Sequence, residues 1–368
     1  MTLLKFFRGK SHTSARYAAE FSAIFESYEA HKPSLIKGSL SGERWRHESM
    51  GKTLNAITDL RKYEELKKHA AENLTVWAQT KSEPPSEVEV VYQDWGDAAK
   101  HITRKYARLY AVLNMSNSLY PGGGSLEGGS AQEENMWHRS TCARSLIDDI
   151  VTYDKDYNNT FLYTPKGKEL VEGRRKMTEE ELKTLEKRCK EAYSPNACKT
   201  FYSEEPRICF RGPEVLLPPS MDDYGANKVA DPDMSFPFLP PTSIFSFHEL
   251  RSAAPEHFAE SHSKAPEVVK EHREDVRRRI AAQLDTLILA GKPYALLGAW
   301  GCGEFKNEPE VIAEIYAEEI EKRASFFQHI MFPIINTHSQ HNNFDIFEKI
   351  LTGIKLGEAS SPQSSLRS

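Results

Sequence analysis

The sequence lacks the features that would place it in a membrane or in a disulfide-stabilised class. Its 368 residues include only five cysteines and no Cys-x-x-Cys pair, so we expect reduced thiols and neither a disulfide framework nor a zinc ribbon. No apolar run approaches the roughly 20 residues of a membrane span. The apolar part of residues 1–8 is too short for a secretory signal. We therefore expect a location in the cytoplasm or nucleus, either of the producing cell or of a host cell into which the protein is delivered.

An excess of positive charge is also missing. The chain has 48 basic and 53 acidic residues, a formal net charge of -5, and no basic tail. Sequence-independent binding to nucleic acid needs a clustered cationic face, so direct nucleic-acid binding is not expected. The composition, with 39% hydrophobic and 27% charged residues, is typical of a folded globular chain of one or two domains.

The order of patterns along the chain predicts an α/β fold behind an amino-terminal helical segment. Residues 1–85 form that segment, because apolar residues recur every three or four positions until Pro84 and Pro85 end the pattern. Strand-like and helix-like stretches then alternate through residues 86–355. The charged and proline-rich residues 154–241 interrupt the alternation and are expected to be an insertion or lid. Residues 356–368 are expected to be a disordered tail.

The first informative motif is a glycine triplet, Gly122, Gly123 and Gly124, that follows a predicted buried strand at 109–113. Without β-carbons, such a turn lets backbone N–H groups approach a phosphate or a ribose closely. A helix predicted to begin near Gln132 would direct its positive amino terminus toward the same place. No Gly-Lys-Ser/Thr follows, so a P-loop mechanism of nucleotide hydrolysis is excluded.

A second glycine loop, residues 298–305, lies between a predicted strand at 294–297 and a predicted helix at 309–325. Its sequence is Gly-Ala-Trp-Gly-Cys-Gly-Glu-Phe. Two such loops at the carboxyl ends of neighbouring strands could hold the two halves of a pyrophosphate between them.

Together these motifs resemble the bacterial-type members of the poly(ADP-ribose) glycohydrolase family, which is a branch of the macrodomain superfamily. The glycine triplet, seven further residues and Gln132-Glu133-Glu134 resemble that family's signature, and residues 298–305 are similar to its second loop. Residues 114–117 look like its Asn-x-x-Asn element. Residues 138–141, His-Arg-Ser-Thr, resemble the segment after the catalytic glutamates of bacterial-type members.

The resemblance implies a macrodomain-like, three-layer αβα fold with a mixed sheet, which binds ADP-ribose and cleaves the glycosidic bond at its distal ribose without a cofactor. Glu134 matches the catalytic acid, Glu133 matches the residue that positions the ribose, and Asn117 would hold a ribose hydroxyl. Such a cleavage needs a protonated carboxyl at the leaving atom and then a carboxylate that activates water. The other residues expected to bind the ligand are Gly122, Gly123, Gly124, Gln132, Gly298, Ala299, Trp300, Gly301, Cys302, Gly303 and Phe305.

Several residues have a plain structural interpretation beside a functional one. Asp94 follows the first predicted strand, where related domains place an acidic residue on adenine, but it is also a good helix cap. The aromatic partner of adenine is open among Tyr224, Phe236, Phe238 and Phe247. His338 and His341 have no accompanying cysteine or carboxylate set, so no metal site is expected.

Three functions fit the motifs. The first is a hydrolase that releases ADP-ribose from poly(ADP-ribose) or from mono-ADP-ribosylated protein, with arginine among the acceptor side chains. The second is a reader that binds ADP-ribose without turnover, and the presence of both Glu133 and Glu134 favours catalysis over it. The third is an enzyme that acts on a free ADP-ribose derivative such as an acetyl ester.

Overall fold

Three α-helices precede the sheet in the part of the chain that the structure describes. The structure, a computed structural model, describes residues 32–117, 122–146, 151–154, 160–163, 200–215, 231–255, 265–336 and 342–357. Helices α1 (Lys37–Ser41), α2 (Glu43–Thr58) and α3 (Leu60–Trp77) confirm the predicted helical character over the described part of the segment. The Asp59 side chain caps α3, since it accepts a hydrogen bond from the Arg61 N–H at 3.0 Å.

A seven-stranded mixed sheet forms the centre of the fold. Its order is β1, β9, β8, β2, β7, β5, and β6 also pairs with β7. Neighbouring strands from β1 to β7 in this order run parallel, whereas β5 and β6 run antiparallel to β7. The strands of this sheet are β1 (Val88–Tyr92), β2 (Ala111–Met115), β5 (Phe201–Tyr202), β6 (Arg207–Cys209), β7 (Phe245–Ser252), β8 (Tyr294–Leu296) and β9 (His329–Ile334). A separate ribbon consists of β3 (Val151–Asp154) and β4 (Thr160–Tyr163).

Helices cover both faces of this sheet. The other α-helices among the described residues are α4 (Trp95–Tyr106), α5 (Gln132–Arg139), α6 (Pro266–Leu289), α7 (Pro309–Glu321) and α8 (Asn343–Leu351). Val112, Leu296 and Met331 pack into one hydrophobic cluster with residues of α2, α4 and α5. Their chain neighbours Ala111 and Ala295 face a second cluster with α6, α7 and α8. Because successive side chains of a strand point to opposite faces, the sheet separates two cores, and the predicted three-layer αβα fold is confirmed.

Residues 154–241 were expected to be an insertion, but part of this range contributes strands to the sheet and residues to its first core. Strands β5 and β6 lie in this range, and Phe210 and Phe236 are buried. Two-residue and three-residue strands carry too little periodicity to be recognised among prolines. Residues 164–199 and 216–230 lie outside the described residues.

Other boundaries differ from the expectation by a few residues. Strand β2 lies two positions later than predicted, and α8 was not predicted. Leu356, placed in the expected tail, is buried and its N–H donates to the Ser86 carbonyl at 2.9 Å, while the tail from residue 358 lies outside the described residues. Among the described helices, none is both long and apolar enough to cross a membrane.

Candidate active site

The glycine triplet forms a tight turn after strand β2. Gly122 and Gly123 have φ angles of 86° and 49°, a region that favours glycine. A β-carbon on Gly122 would lie 2.7 Å from the ring of Trp137, which is buried beneath the turn. The Gly129 N–H donates to the Gly124 carbonyl at 2.8 Å and closes the loop on itself. Glycine is therefore required here both by the backbone conformation and by the close approach of helix α5.

Helix α2 packs against this loop from the outside. The Nδ1 atom of His47 lies 2.6 Å from the Leu126 carbonyl oxygen, and Gly128 packs directly on the backbone of Glu43. The Thr53 hydroxyl donates to the carbonyl of His138 in α5 at 2.5 Å. The amino-terminal helices thus support the glycine turn and the helix that carries the two glutamates.

Gln132 joins the start of α5 to the end of β2. Its Oε1 accepts from the Met115 N–H at 2.9 Å, and its Nε2 donates to the Leu113 carbonyl at 3.0 Å. Strand β2 pairs with β8 only at Ala111 and Val112, so the Gln132 amide continues the hydrogen bonding of β2 beyond that point. This residue has a structural role; its predicted contact with the ligand stays a prediction.

Glu133 is buried and connects three parts of the site. Its Oε2 accepts from the Asn117 N–H at 2.6 Å, and its Oε1 accepts from the Gly122 N–H at 2.8 Å. Arg251, at the end of β7, donates from Nη2 to the same Oε1 at 2.7 Å. Burial raises the pKa of Glu133 to about 7, against the opposing effect of Arg251, and Glu134 adds a smaller upward contribution. Burial, and not the neighbouring carboxylate, is therefore the main cause of the raised pKa of Glu133.

Glu134 differs from Glu133 in its hydrogen bonds. Its Oε1 accepts from the Gly124 N–H at 2.8 Å, whereas its buried Oε2 has no hydrogen-bond partner among the described residues. Burial raises the pKa of Glu134, and the carboxylates of Glu127 and Glu304 raise it further. A carboxyl with a raised pKa and one uncommitted oxygen is suited to proton transfer.

The second glycine loop lies at the same edge of the sheet. The carbonyl oxygen of Ser252, at the end of β7, accepts from the Ser116 N–H at 3.2 Å and from Trp300 Nε1 at 2.8 Å. Gly301 has a φ of 76° and a β-carbon there would lie 2.7 Å from Ala254. One backbone oxygen therefore ties together the segments that follow β2 and β8, which places both loops at one site.

The other residues of the second loop have varied surroundings. Gly298 packs closely on the side chain of Met115, and Trp300 and Cys302 are buried. Burial raises the pKa of the Cys302 thiol, which makes it a packing residue. Phe305 is partly buried against the second core, and Gly303 borders open space. Of the predicted residues in this loop, Gly303 is exposed and Ala299, Gly301 and Phe305 are partly exposed, so these four can meet a ligand.

Asp94 has the structural role that its sequence context allowed. Its Oδ1 accepts from the Gly96 N–H at 2.9 Å and caps α4, and it also accepts from Arg139 Nη1 at 2.5 Å. The predicted contact of Asp94 with adenine stays a prediction.

Two of the aromatic candidates for adenine are buried, and one of them, Phe247, belongs to the first core. Phe247 packs on Trp95, and Phe236 stacks on His138 with 4.6 Å between ring centroids. Phe238 is 56% exposed, and Tyr224 lies outside the described residues. At the carboxyl edge of the sheet, however, Tyr92 is 59% exposed and contacts the ring of Phe344 at 5.3 Å between centroids.

Sequence reasoning missed the side chains that come from distant segments. Arg251 is 118 positions from its partner Glu133, and no local motif marks it. Glu304, in contrast, is part of the second loop's own sequence, so its charge near the site could have been recognised from that motif. No group of three or more potential metal ligands occurs in the described ranges, and His338 and His341 lie outside them.

Comparisons with known proteins identify a family and a fold that this chain resembles. Residues 46–187 match a family model described as microbial-type PARG, catalytic domain, a family of glycosidic-bond hydrolases that act on poly(ADP-ribose). The structure is similar to poly(ADP-ribose) glycohydrolase from Thermomonospora curvata, with 20% identity, a TM-score of 0.51, and coverage of 83% of this chain and 100% of that chain. The same enzyme bound to the inhibitor ADP-HPD gives 19% identity, a TM-score of 0.50, and coverage of 82% and 99%.

A third similar structure is poly(ADP-ribose) glycohydrolase from Deinococcus radiodurans in complex with ADP-ribose, with 19% identity, a TM-score of 0.48, and coverage of 77% of this chain and 90% of that chain. A comparison with curated proteins gives no match. The family model confirms the resemblance predicted from the first glycine loop and the glutamate pair, and the Thermomonospora structure confirms the macrodomain-like fold.

Proposed function

We propose that this chain, whose residues 46–187 match the microbial-type PARG catalytic domain, hydrolyses the glycosidic bond at the distal ribose of ADP-ribose units and releases ADP-ribose. The observation that carries the proposal is the Oε2 atom of Glu134, which is buried beside both glycine loops without a partner among the described residues. The bound inhibitor ADP-HPD in the Thermomonospora enzyme supports an ADP-containing ligand.

The two glutamates divide the chemistry between them. Glu134 would be protonated in the resting enzyme and would donate its proton to the leaving atom as positive charge develops at the anomeric carbon. The resulting carboxylate would then accept a proton from the attacking water. Glu133, fixed by two backbone N–H groups and Arg251, would hold the ribose and the glycine turn in place.

The ligand would extend along the carboxyl edge of the sheet. The distal ribose would lie near Glu134, and the diphosphate would lie between the two glycine loops at the start of α5. The adenine would then reach the end of β1, where the exposed ring of Tyr92 rests on Phe344. This arrangement uses three strand ends, those of β1, β8 and β2, which share one edge of the sheet.

The charges around the reactive end support a cationic leaving group. Glu127 and Glu304 both act on Glu134 and come from the two glycine loops. The two carboxylates of Glu127 and Glu304 near the scissile bond would stabilise a guanidinium more than a neutral ribose hydroxyl. On this basis we propose mono-ADP-ribosylated arginine as a substrate in addition to poly(ADP-ribose).

Incubation of Glu134→Gln with poly(ADP-ribose), arginine-modified and glutamate-modified protein tests the activity. We expect at least about a 100-fold loss of kcat with binding of ADP-ribose retained, which is the scale of losing a general acid. The exposed substitution Glu310→Gln is the matched control. Undiminished release by Glu134→Gln would remove that residue from catalysis, and tight binding without release by the wild type would favour a reader.

Glu304→Lys tests the choice of acceptor. We expect its kcat/KM for the arginine-linked substrate to fall about three- to tenfold relative to poly(ADP-ribose), because an exposed charge has a modest, salt-screened effect. The ratio should approach that of the wild type at high salt. An unchanged ratio at low salt would contradict the cationic acceptor while leaving the hydrolase activity itself in place.

A further inference from the structure

Arg251 lies on the strand next to β2 and contacts Glu133, the first of the two glutamates. It lies in β7, opposite Asn114 of β2, and its side chain is 3% exposed. Its Nη2 is 2.7 Å from Oε1 of Glu133, whose side chain is also 3% exposed. A buried cation and a buried anion at this distance strongly favour each other's charged form.

The ionised form of Glu133 is what the surrounding backbone requires. The Asn117 N–H donates to one oxygen of the carboxylate, and the Gly122 N–H donates to the other. A protonated carboxyl would turn one oxygen into a hydroxyl and would weaken at least one of these hydrogen bonds. The positions of the proposed ribose contact at Asn117 and of the glycine turn therefore depend on a charge on Glu133.

Burial works against that charge. It raises the pKa of Glu133 to about 7, and Glu134, the adjacent carboxyl on α5, raises it as well. Arg251 is the cation on the opposing strand that lowers it. The charged groups that act on Glu134 include Glu127 and Glu304, and both of these carboxylates raise the pKa of Glu134. The buried guanidinium of Arg251 thus lowers the pKa of Glu133, whereas neighbouring carboxylates raise the pKa of Glu134.

We propose that Arg251 is a positioning residue that shifts Glu133 toward its ionised form, and so gives the two neighbouring glutamates their different roles. This inference rests on the proposed hydrolase function for its kinetic consequence, but the contact of Arg251 with Glu133 also predicts how ADP-ribose binding depends on pH. Arg251 contacts the carboxylate and not the reacting atoms, so it acts through Glu133.

The test compares Arg251→Met and Arg251→Lys with the wild type in kcat/KM from pH 5.5 to 9.5. For Arg251→Met, the acidic limb of the profile should move up by at least about one pH unit, because Glu133 must then ionise without its cation. Activity at pH 7 should fall at least about fivefold and recover in part near pH 9. Arg251→Lys keeps the charge, so its acidic limb should remain within about half a unit of the wild type.

Two controls separate this effect from a general loss of structure. Arg207→Met removes a comparable buried arginine, which pairs with Glu249 at 3.1 Å in the same sheet, and it should leave the acidic limb where it is. In a Glu133→Gln background, Arg251→Met should cause no pH-dependent change, since glutamine does not titrate. A loss of activity by the same factor at every pH would show a merely structural role and overturn the proposal.

Calorimetry with ADP-ribose keeps the inference testable if no substrate is hydrolysed. The affinity of Arg251→Met should fall below that of the wild type at pH 6.5 and approach it at pH 9. A wild type that binds but does not hydrolyse, together with this shift, would reject the hydrolase function and retain the role of Arg251. Parallel affinity curves for the wild type and Arg251→Met would reject that role. Arg251→Lys provides the same comparison if Arg251→Met does not fold.

Discussion

Gly123 lies so close to Glu134 that a β-carbon at this position would overlap the Oε1 atom of the catalytic candidate. The contact explains why the middle glycine of the triplet cannot be replaced by another small residue. It also shows that the turn and the glutamate form one unit, because the neighbouring Gly124 N–H donates to the same oxygen at 2.8 Å.

Gly123→Ala should therefore reduce activity through the position of Glu134. The new methyl group would displace the carboxylate, and the φ of 49° is unfavourable for alanine, so we expect a loss of kcat of about 100-fold. Gly124→Ala is the matched comparison, since its β-carbon would lie at an ordinary 3.6 Å from Oε1 and should reduce kcat less than about tenfold. Steady-state kinetics and melting temperatures of both variants check this, and equal losses would contradict it.

The stability of the protein should be sensitive to a change of one atom in the Gln132 side chain. In Gln132→Glu, a carboxylate oxygen replaces the Nε2 donor and repels the Leu113 carbonyl oxygen. The free energy of unfolding should therefore fall by about 1–3 kcal/mol. Gln328→Glu is the control, because the Gln328 side chain accepts a hydrogen bond from Tyr294 and a carboxylate can do the same. Urea unfolding of the two variants measures the difference; similar stabilities would mean that the Gln132 amide contributes nothing specific.

The local part of the site could be predicted from the sequence, and its distant part could not. The glycine triplet, Gln132, Glu133 and Glu134 lie within one short segment, and glycine turns and helix starts leave a recognisable pattern. Arg251 comes from another strand, and only the parallel pairing of β2 with β7 brings it to Glu133. The exposure of Tyr92 likewise follows from its place at the end of an edge strand, which no spacing rule shows.

The fold shows the same division. Long amphipathic segments such as α6 were predicted to within one residue at either end, because their periodicity is set by burial of one face. Helix α8 has apolar residues at suitable spacing in Phe344, Phe347 and Leu351, but it is only nine residues long. The short strands β5 and β6 exist because β7 offers them a partner, which is a property of the folded chain.

His138 should make the protein less stable in mild acid. It is fully buried, and burial together with Arg211, Arg46 and His47 lowers its pKa well below 6.5. The unfolded chain then binds a proton below pH 6.5 that the folded chain does not, so the free energy of unfolding falls as the pH decreases.

The change from pH 7.5 to pH 5.5 should be about 1.4 kcal/mol for this one group. His138→Phe retains an aromatic ring against Phe236 and removes the titration, so its stability should decrease less over that range than the wild type's. His138→Leu serves as a second variant in case the larger ring is not accommodated. Parallel stability curves for wild type and variants would show that His138 is not responsible for acid sensitivity.

Tyr92 provides the sharpest test of where the adenine lies. A base stacked on an aromatic ring contributes about 1–3 kcal/mol, so Tyr92→Ala should weaken ADP-ribose binding by at least about fivefold, while Tyr92→Phe should bind like the wild type. Ribose 5-phosphate carries no base, and its affinity should be the same for all three proteins. Because Tyr92 lies at the end of β1, three strands away from β2 in the sheet, its removal should raise KM with little effect on kcat. Calorimetry with the two ligands distinguishes the outcomes: an equal loss for both would indicate a distorted sheet edge, and no loss for either would place the adenine elsewhere along that edge.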